Sequence, residues 1–376
     1  MGVAGTCCGC CCSLRCSAAM VAVAGLMPAV VYKLDGTPLV PGDGVEIPGS
    51  LAGRAVLITG SSKGIGFYAA RDFCSLGAHV IVTGRRQKAN EAAATQAAAA
   101  GGKATPMAVD MADFASVRRF AGAVRRDFAS LHVAVLNAGI AYGPKQPKNT
   151  TAPSGHDLAY ATNHLGHFLL YKLLLRDRLS PGGAVVVVGS GSMWSAADYG
   201  AMMPQRRPLY ESKLKHRRFQ AYATSKLANR CFAQTVRRRL AEKGISVNLY
   251  NPGVTGTEML GARSEKCLKY HFWDWCGPPD VAGTLLMQSA FVDERRAGGP
   301  PEVLQAYWWP RFIFQRYAPK SALESRRALG HWAGFPGKIQ RLLRWGALHA
   351  TVAPECPVDV QERLWTWSTN ATGAPP

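Results

Sequence analysis

Residues 54–66 read Arg54-Ala55-Val56-Leu57-Ile58-Thr59-Gly60-Ser61-Ser62-Lys63-Gly64-Ile65-Gly66. A short apolar run, Ala55–Thr59, enters a glycine-rich turn, and a helical stretch follows to about Leu76. Strand, glycine turn and helix in that order suit a phosphate. The glycines let the backbone come close to a pyrophosphate, and the helix N-terminus faces its charge. A tight turn with no ligand fits the same residues, so the neighbouring sequence has to decide.

Working outward, the pattern repeats. His79–Thr83 is the next apolar run, followed by an alanine-rich helical segment at Ala89–Ala100. Met107–Asp110, Val133–Asn137, Ala184–Gly189 and Val247–Tyr250 follow at helix-length intervals. Short β-branched runs alternating with helices predict an α/β fold with a doubly wound parallel sheet. Val185–Val188 carries no polar alternation, as expected of a strand buried on both faces.

The 376 residues bury a sizeable core, and 48% hydrophobic with 18% charged residues argues against wholesale disorder. The formal charge is +20, which suits anionic partners: nucleic acid, acidic lipid or phosphorylated ligands. No zinc-finger spacing or RNA-binding motif accompanies it, so nucleic acid is the weaker reading. Six of the eleven cysteines fall at Cys7, Cys8, Cys10, Cys11, Cys12 and Cys16, and the others are scattered. That distribution is not a disulfide framework, and adjacent pairs without a nearby histidine make a poor zinc site. The main body therefore reads as reduced and facing the cytosol. His271 and His331 lack ligand-spaced partners, so no metal is expected.

Residues 1–50 read as a leader. Met1-Gly2-Val3-Ala4-Gly5-Thr6 fits N-myristoylation at Gly2, with the cysteines beside it as palmitoylation acceptors. A second acyl chain is what makes such anchoring stable. The competing reading is a signal anchor through Ala18–Val31, short of the ~20 residues a spanning helix needs. Either way the protein is expected at a membrane surface. Lys33–Gly53 is rich in Gly and Pro and reads as a linker or wrapping arm.

Six blocks carry a family resemblance. Thr59, Gly60, Gly64 and Gly66 give T-G-x-x-x-G-x-G; then come Leu136-Asn137-Ala138-Gly139, Asn163-His164-Leu165-Gly166-His167-Phe168, and Tyr222-Ala223-Thr224-Ser225-Lys226. Gly189-Ser190 closes the long apolar strand, and Asn251-Pro252-Gly253 follows the last one. Leu51–Thr257 thus resembles the short-chain dehydrogenase/reductase family, which implies a Rossmann-type domain over residues 51–262. The finer pattern is similar to the branch of retinol dehydrogenases, WW-domain oxidoreductases and protochlorophyllide reductases. The last of these has a cysteine where Ala228 stands, which counts against that light-driven reaction.

The resemblance implies hydride transfer with Asn163, Ser190, Tyr222 and Lys226 as the catalytic set. A hydride delivered to a carbonyl leaves an alkoxide that needs a proton, and tyrosine's ordinary pKa of about 10 is poorly suited. Tyr222 and Lys226 stand four apart, on one face of a helix, so the ammonium is expected to favour phenolate. Ser190 would hydrogen-bond the substrate oxygen, with Ser192 the alternative serine, and Asn163 would continue a proton relay through a water. The cofactor implied is NADP(H). The second apolar run ends in Arg85 and Arg86 with no acid for a bare ribose, and Lys63 precedes Gly64; these cations suit a 2′-phosphate. Gly60, Ser62, Lys63, Gly64, Ile65, Gly66, Arg85, Asp110, Asn137, Tyr222, Lys226, Pro252, Gly253 and Thr257 are the implied cofactor contacts.

Between Ser190 and Tyr222 lies a basic, proline-containing stretch, Met203–Phe219, that reads as an insertion near the substrate mouth. Residues 263–376 read as a helical extension or substrate lid. Eight of the nine tryptophans lie beyond residue 261, among cations, which suits either a membrane interface or packing on the body. Glu362-Arg363-Leu364-Trp365 and Ser368 resemble the closing helix of the retinol dehydrogenase group. The expected substrate is a lipophilic alcohol or carbonyl of retinoid, steroid or lipid-aldehyde type. A catalytically silent binding or scaffold protein is the rival reading, and a homo-oligomer is left open.

Overall fold

The computed structural model describes residues 47–141, 151–196, 199–203, 215–252, 255–257, 259, 279–291, 304–305 and 356–375. All of them fall in one compact unit, Asp43–Pro376. The acylation pattern, Ala18–Val31, Gly253, most of the Met203–Phe219 stretch, and Trp273, Trp275, Trp308 and Trp309 lie outside the described residues. No described helix is long and apolar enough to cross a membrane.

In chain order the elements are β1 (Ala55–Ile58), α1 (Gly64–Ser75), β2 (His79–Gly84), α2 (Gln87–Ala98), β3 (Lys103–Ala108), α3 (Phe114–Asp127) and β4 (Leu131–Leu136). A long helix, α4, runs from Leu158–Tyr160 to Arg176–Arg178 through two π-helical segments, Ala161–Leu165 and Tyr171–Leu175. Then follow β5 (Leu179–Val188), α5 (Lys215–Leu240), β6 (Ser246–Asn251), α6 (Pro279–Gln288), β7 (Leu304–Gln305) and α7 (Val358–Thr372). The strands form one parallel sheet in the order β3-β2-β1-β4-β5-β6-β7. Strand order reverses between β1 and β4. In such sheets the carboxyl edge at that switch point is where ligands lie.

Burial explains the strand composition. Val56, Leu57 and Ile58 of β1 and Val185, Val186 and Val187 of β5 are all buried, because helices cover both faces. The β3 strand begins four residues before the predicted Met107–Asp110. It is an edge strand, only partly buried and carrying Pro106, so its sequence has little apolar signal. β5 likewise starts earlier than Ala184, taking in Pro181, Gly182 and Gly183. Lys215–Phe219, read as part of an insertion, already form the first turns of α5.

The α7 helix closes the molecule against α4 and α5. Its Trp365 ring lies 4.9 Å from that of Phe168 and stacks on Phe232, while the Arg239 guanidinium sits 4.1 Å above it. Glu362 pairs with Arg238 and Arg239, and Arg118 donates to Thr372 O and Gly373 O at the helix end. A disulfide joins Cys231 on α5 to Cys356, just ahead of α7. This corrects the expectation of a fully reduced main body. The pair is 125 residues apart, so local cysteine spacing carries no sign of it.

Candidate active site

The glycine loop follows from backbone necessity. Gly60 and Gly64 both take positive φ, +66° and +62°, which L side chains rarely adopt. A Cβ on Gly60 would lie 2.8 Å from Ala138 Cα, and one on Gly66 would lie 2.6 Å from the Asn137 amide nitrogen. Thr59 fastens the loop to β4. Its hydroxyl accepts from the backbone amides of Asn137 (2.8 Å) and Ala138 (2.9 Å). Asn137 in turn donates its side-chain amide to Thr59 O and Gly60 O. Asn137 therefore sits under the loop as its brace. The start of α1 has no side-chain cap and no acid in its first turn, so the positive end of the helix is not neutralised locally.

Ser62 and the end of β2 are brought together: a Cβ on Gly84 would lie 2.8 Å from Ser62 Oγ. Lys63 and Arg85, the neighbours of these two residues, are exposed at one edge of the loop. Thr257 faces Gly64, with its methyl 3.7 Å from where a Cβ on that glycine would be. Ile65 lies in the first turn of α1 and Pro252 follows β6. Asp110, just after β3 and partly buried, accepts from Ala112 N through its carboxylate. The cradle of positive-φ glycines, the uncapped helix start and the two cations fit a dinucleotide carrying an extra phosphate.

At the other side of the switch point, α5 presents Tyr222 and Lys226. Lys226 is buried and its Nζ donates to Val188 O at 2.8 Å, two residues before Ser190. Ser190 Oγ accepts from both Ser192 N (3.2 Å) and Ser192 Oγ (2.9 Å). With its lone pairs taken, the Ser190 hydroxyl keeps its own proton to donate. Ser192, the alternative serine, thus orients Ser190. Burial pushes the Tyr222 phenol above its ordinary range, and the hydrogen bond with Ser190 works in the opposite direction. Burial also pushes Lys226 down to about 8. The expected lowering of Tyr222 by Lys226 is not what the fold gives. Nζ points at Val188 O and stands 5.8 Å from the phenol ring's centre, and desolvation of the phenolate outweighs it.

Asn163 is fully buried in the first π-helical turn of α4. Its side-chain oxygen accepts from Ile140 N, and its amide nitrogen donates to Ile140 O (3.0 Å) and Ser225 Oγ (2.9 Å). Ser225 Oγ donates to Tyr222 O at 2.7 Å. Sequence reading missed Ser225, although it lies inside the Y-x-x-x-K block. All four residues of the expected catalytic set are thus gathered where β4, β5 and α5 meet.

The short chain dehydrogenase family profile matches residues 54–201 and 211–268. The chain belongs to that family. The profile breaks at 202–210, overlapping the start of the stretch read as an insertion. Mouse (Mus musculus) retinol dehydrogenase 14 is 33% identical over 224 residues, 56% of this chain and 64% of that protein. The chicken (Gallus gallus) WW domain-containing oxidoreductase is 32% identical over 54% of this chain and 49% of its own length. This chain thus spans less than two thirds of either relative. A short chain dehydrogenase from Burkholderia cenocepacia, solved in complex with NADP, is similar in structure. It has a TM-score of 0.52 and 26% identity, covering 68% of this chain and 96% of that one.

Proposed function

We propose that this family member is an NADP(H)-dependent oxidoreductase that interconverts a lipophilic alcohol and its aldehyde or ketone. One observation carries the reading. A protonated, partly buried phenol hydrogen-bonded to a donor-ready serine stands beside a buried lysine at the carboxyl edge of the sheet. The glycine loop lies across the same edge, and Lys63 and Arg85 are its match for a 2′-phosphate. NADP in the Burkholderia neighbour supports that choice. The dinucleotide supplies the hydride.

The residues of the chain manage the proton. Ser190 donates to the substrate oxygen and steadies charge as it develops there. Tyr222, held protonated by burial, gives its proton to that oxygen in the reducing direction. Lys226 keeps a positive charge near both while the pH stays below about 8. The mouse relative, a retinol dehydrogenase, supports a retinoid-like substrate. The Gly2 pattern and the cysteines up to Cys16 support delivery from a membrane surface.

NADPH consumption with a panel of apolar aldehydes and ketones tests the reading. Tyr222→Phe is expected to lower kcat by about a thousandfold while still binding NADPH. Equal rates for wild type and variant would remove the enzyme and leave the scaffold.

A further inference from the structure

We propose that His167 is a positioning residue for the reaction: its imidazole ties the main-chain oxygen of Asn163 to Thr59, locking the proton-transfer helix to the cofactor loop. The proposal rests on the functional reading above and adds a residue to it. His167 is buried, with Nδ1 2.9 Å from Asn163 O and Nε2 2.8 Å from Thr59 Oγ1. A carbonyl oxygen only accepts, so the ring proton sits on Nδ1. Nε2 is then an acceptor, and Thr59 must donate to it.

Thr59 is free to do so. Its two lone pairs already take the amides of Asn137 and Ala138, and its hydroxyl proton has only a longer alternative, Val135 O at 3.3 Å. A second proton on the ring would point a third donor at Thr59 Oγ1, which has no lone pair left for it. Burial and the nearby Lys226 cation disfavour that proton too, holding His167 at about 4. The other ionisable neighbour, His164, is itself buried and held at about 3. His167 is therefore a neutral coupler of one fixed tautomer over the working pH range.

Its place in the network gives the coupling a purpose. From Thr59 the bonds run through His167 to Asn163, from Asn163 to Ser225, and from Ser225 to Tyr222 O. The cofactor loop and the helix that carries Tyr222 come from segments more than 150 residues apart, yet this polar network joins them, ending on the main-chain oxygen of Tyr222. Asn163 lies in a widened helical turn, where a side-chain donor on its carbonyl holds the main chain in place.

The experiment compares His167→Leu with His167→Gln, whose amide offers one donor and one acceptor at a spacing near that of the imidazole. Three measurements are made on the full-length protein: kcat and KM with NADPH and a reactive aldehyde, the Kd for NADPH by fluorescence, and long-range ¹H–¹⁵N spectra of the ring. We expect Leu to lower kcat by tenfold to a hundredfold and Gln to restore it to within about fivefold. The wild-type ring should carry its proton on Nδ1 and stay neutral from pH 8 to pH 5.5. A proton on Nε2, a titration near 6.5, or a Leu variant with unchanged kcat would overturn the proposal. A wild type that binds NADPH but reduces nothing would instead defeat the functional reading, with the ring spectra still testing the coupler.

Discussion

The α5 helix is held from two sides, and the two sides are built differently. Toward the glycine loop it is fastened by small polar groups at hydrogen-bond distance: Thr59, His167, Asn163, Ser225 and Lys226. Toward the C-terminal helix it is fastened by aromatic rings, ion pairs and a covalent bond: Trp365 on Phe232, Glu362 with Arg238 and Arg239, and Cys231 with Cys356. The first kind of contact fixes direction, because a hydrogen bond weakens steeply when misaligned. The second fixes attachment, because burial and a cross-link are tolerant of small shifts. One side should govern chemistry and the other stability.

Breaking the cross-link tests this division with the largest effect. Cys356→Ser should lower unfolding free energy by about 5 kcal/mol, the entropy of a long closed loop, while the Kd for NADPH stays within twofold. Denaturant unfolding with and without a reductant measures it, and the reductant should leave the variant's curve unmoved. Reversing a charge on the opposite side should do the converse. Arg85→Glu is expected to weaken NADPH about a hundredfold, or ~2.7 kcal/mol, with NADH little affected and stability unchanged. Fluorescence titration of both cofactors reads it. The smallest effect sharpens the comparison from within the C-terminal side. Glu362→Ala removes two half-exposed ion pairs and should cost only ~0.5–1 kcal/mol, shrinking further in high salt.

Much of the polar side was legible in the sequence. Glycines at 60, 64 and 66 report a backbone need, and Tyr222 and Lys226 are found through the family resemblance of the ordered blocks around them, since a lone Y-x-x-x-K is common by chance. The strands of the sheet interior were legible for a related reason: burial on both faces favours unbroken apolar, often β-branched runs, as at Val185–Val188. The edge strand β3 was placed late because half-burial leaves no such mark. Other features were hidden because they depend on contacts between distant segments. Ser225 and His167 look like ordinary helix residues until α4 and α5 are set side by side. The same holds for Cys231 and Cys356, whose spacing reflects the path of the chain rather than any local motif. The sign of the Tyr222 shift was also out of reach, since spacing reports which neighbours a phenol has but not how much water it keeps.

The cross-link makes everything between Cys231 and Cys356 part of a ring. In a ring, the attachment of the closing helix no longer depends on the fit of the chain that leads to it. Lengthening or shortening that chain changes the closure entropy only logarithmically, by about 0.6 kcal/mol for each doubling. Wide variation in size between β6 and α7 is therefore thermodynamically cheap for this protein, and a break in the peptide chain there would leave α7 tethered through sulfur.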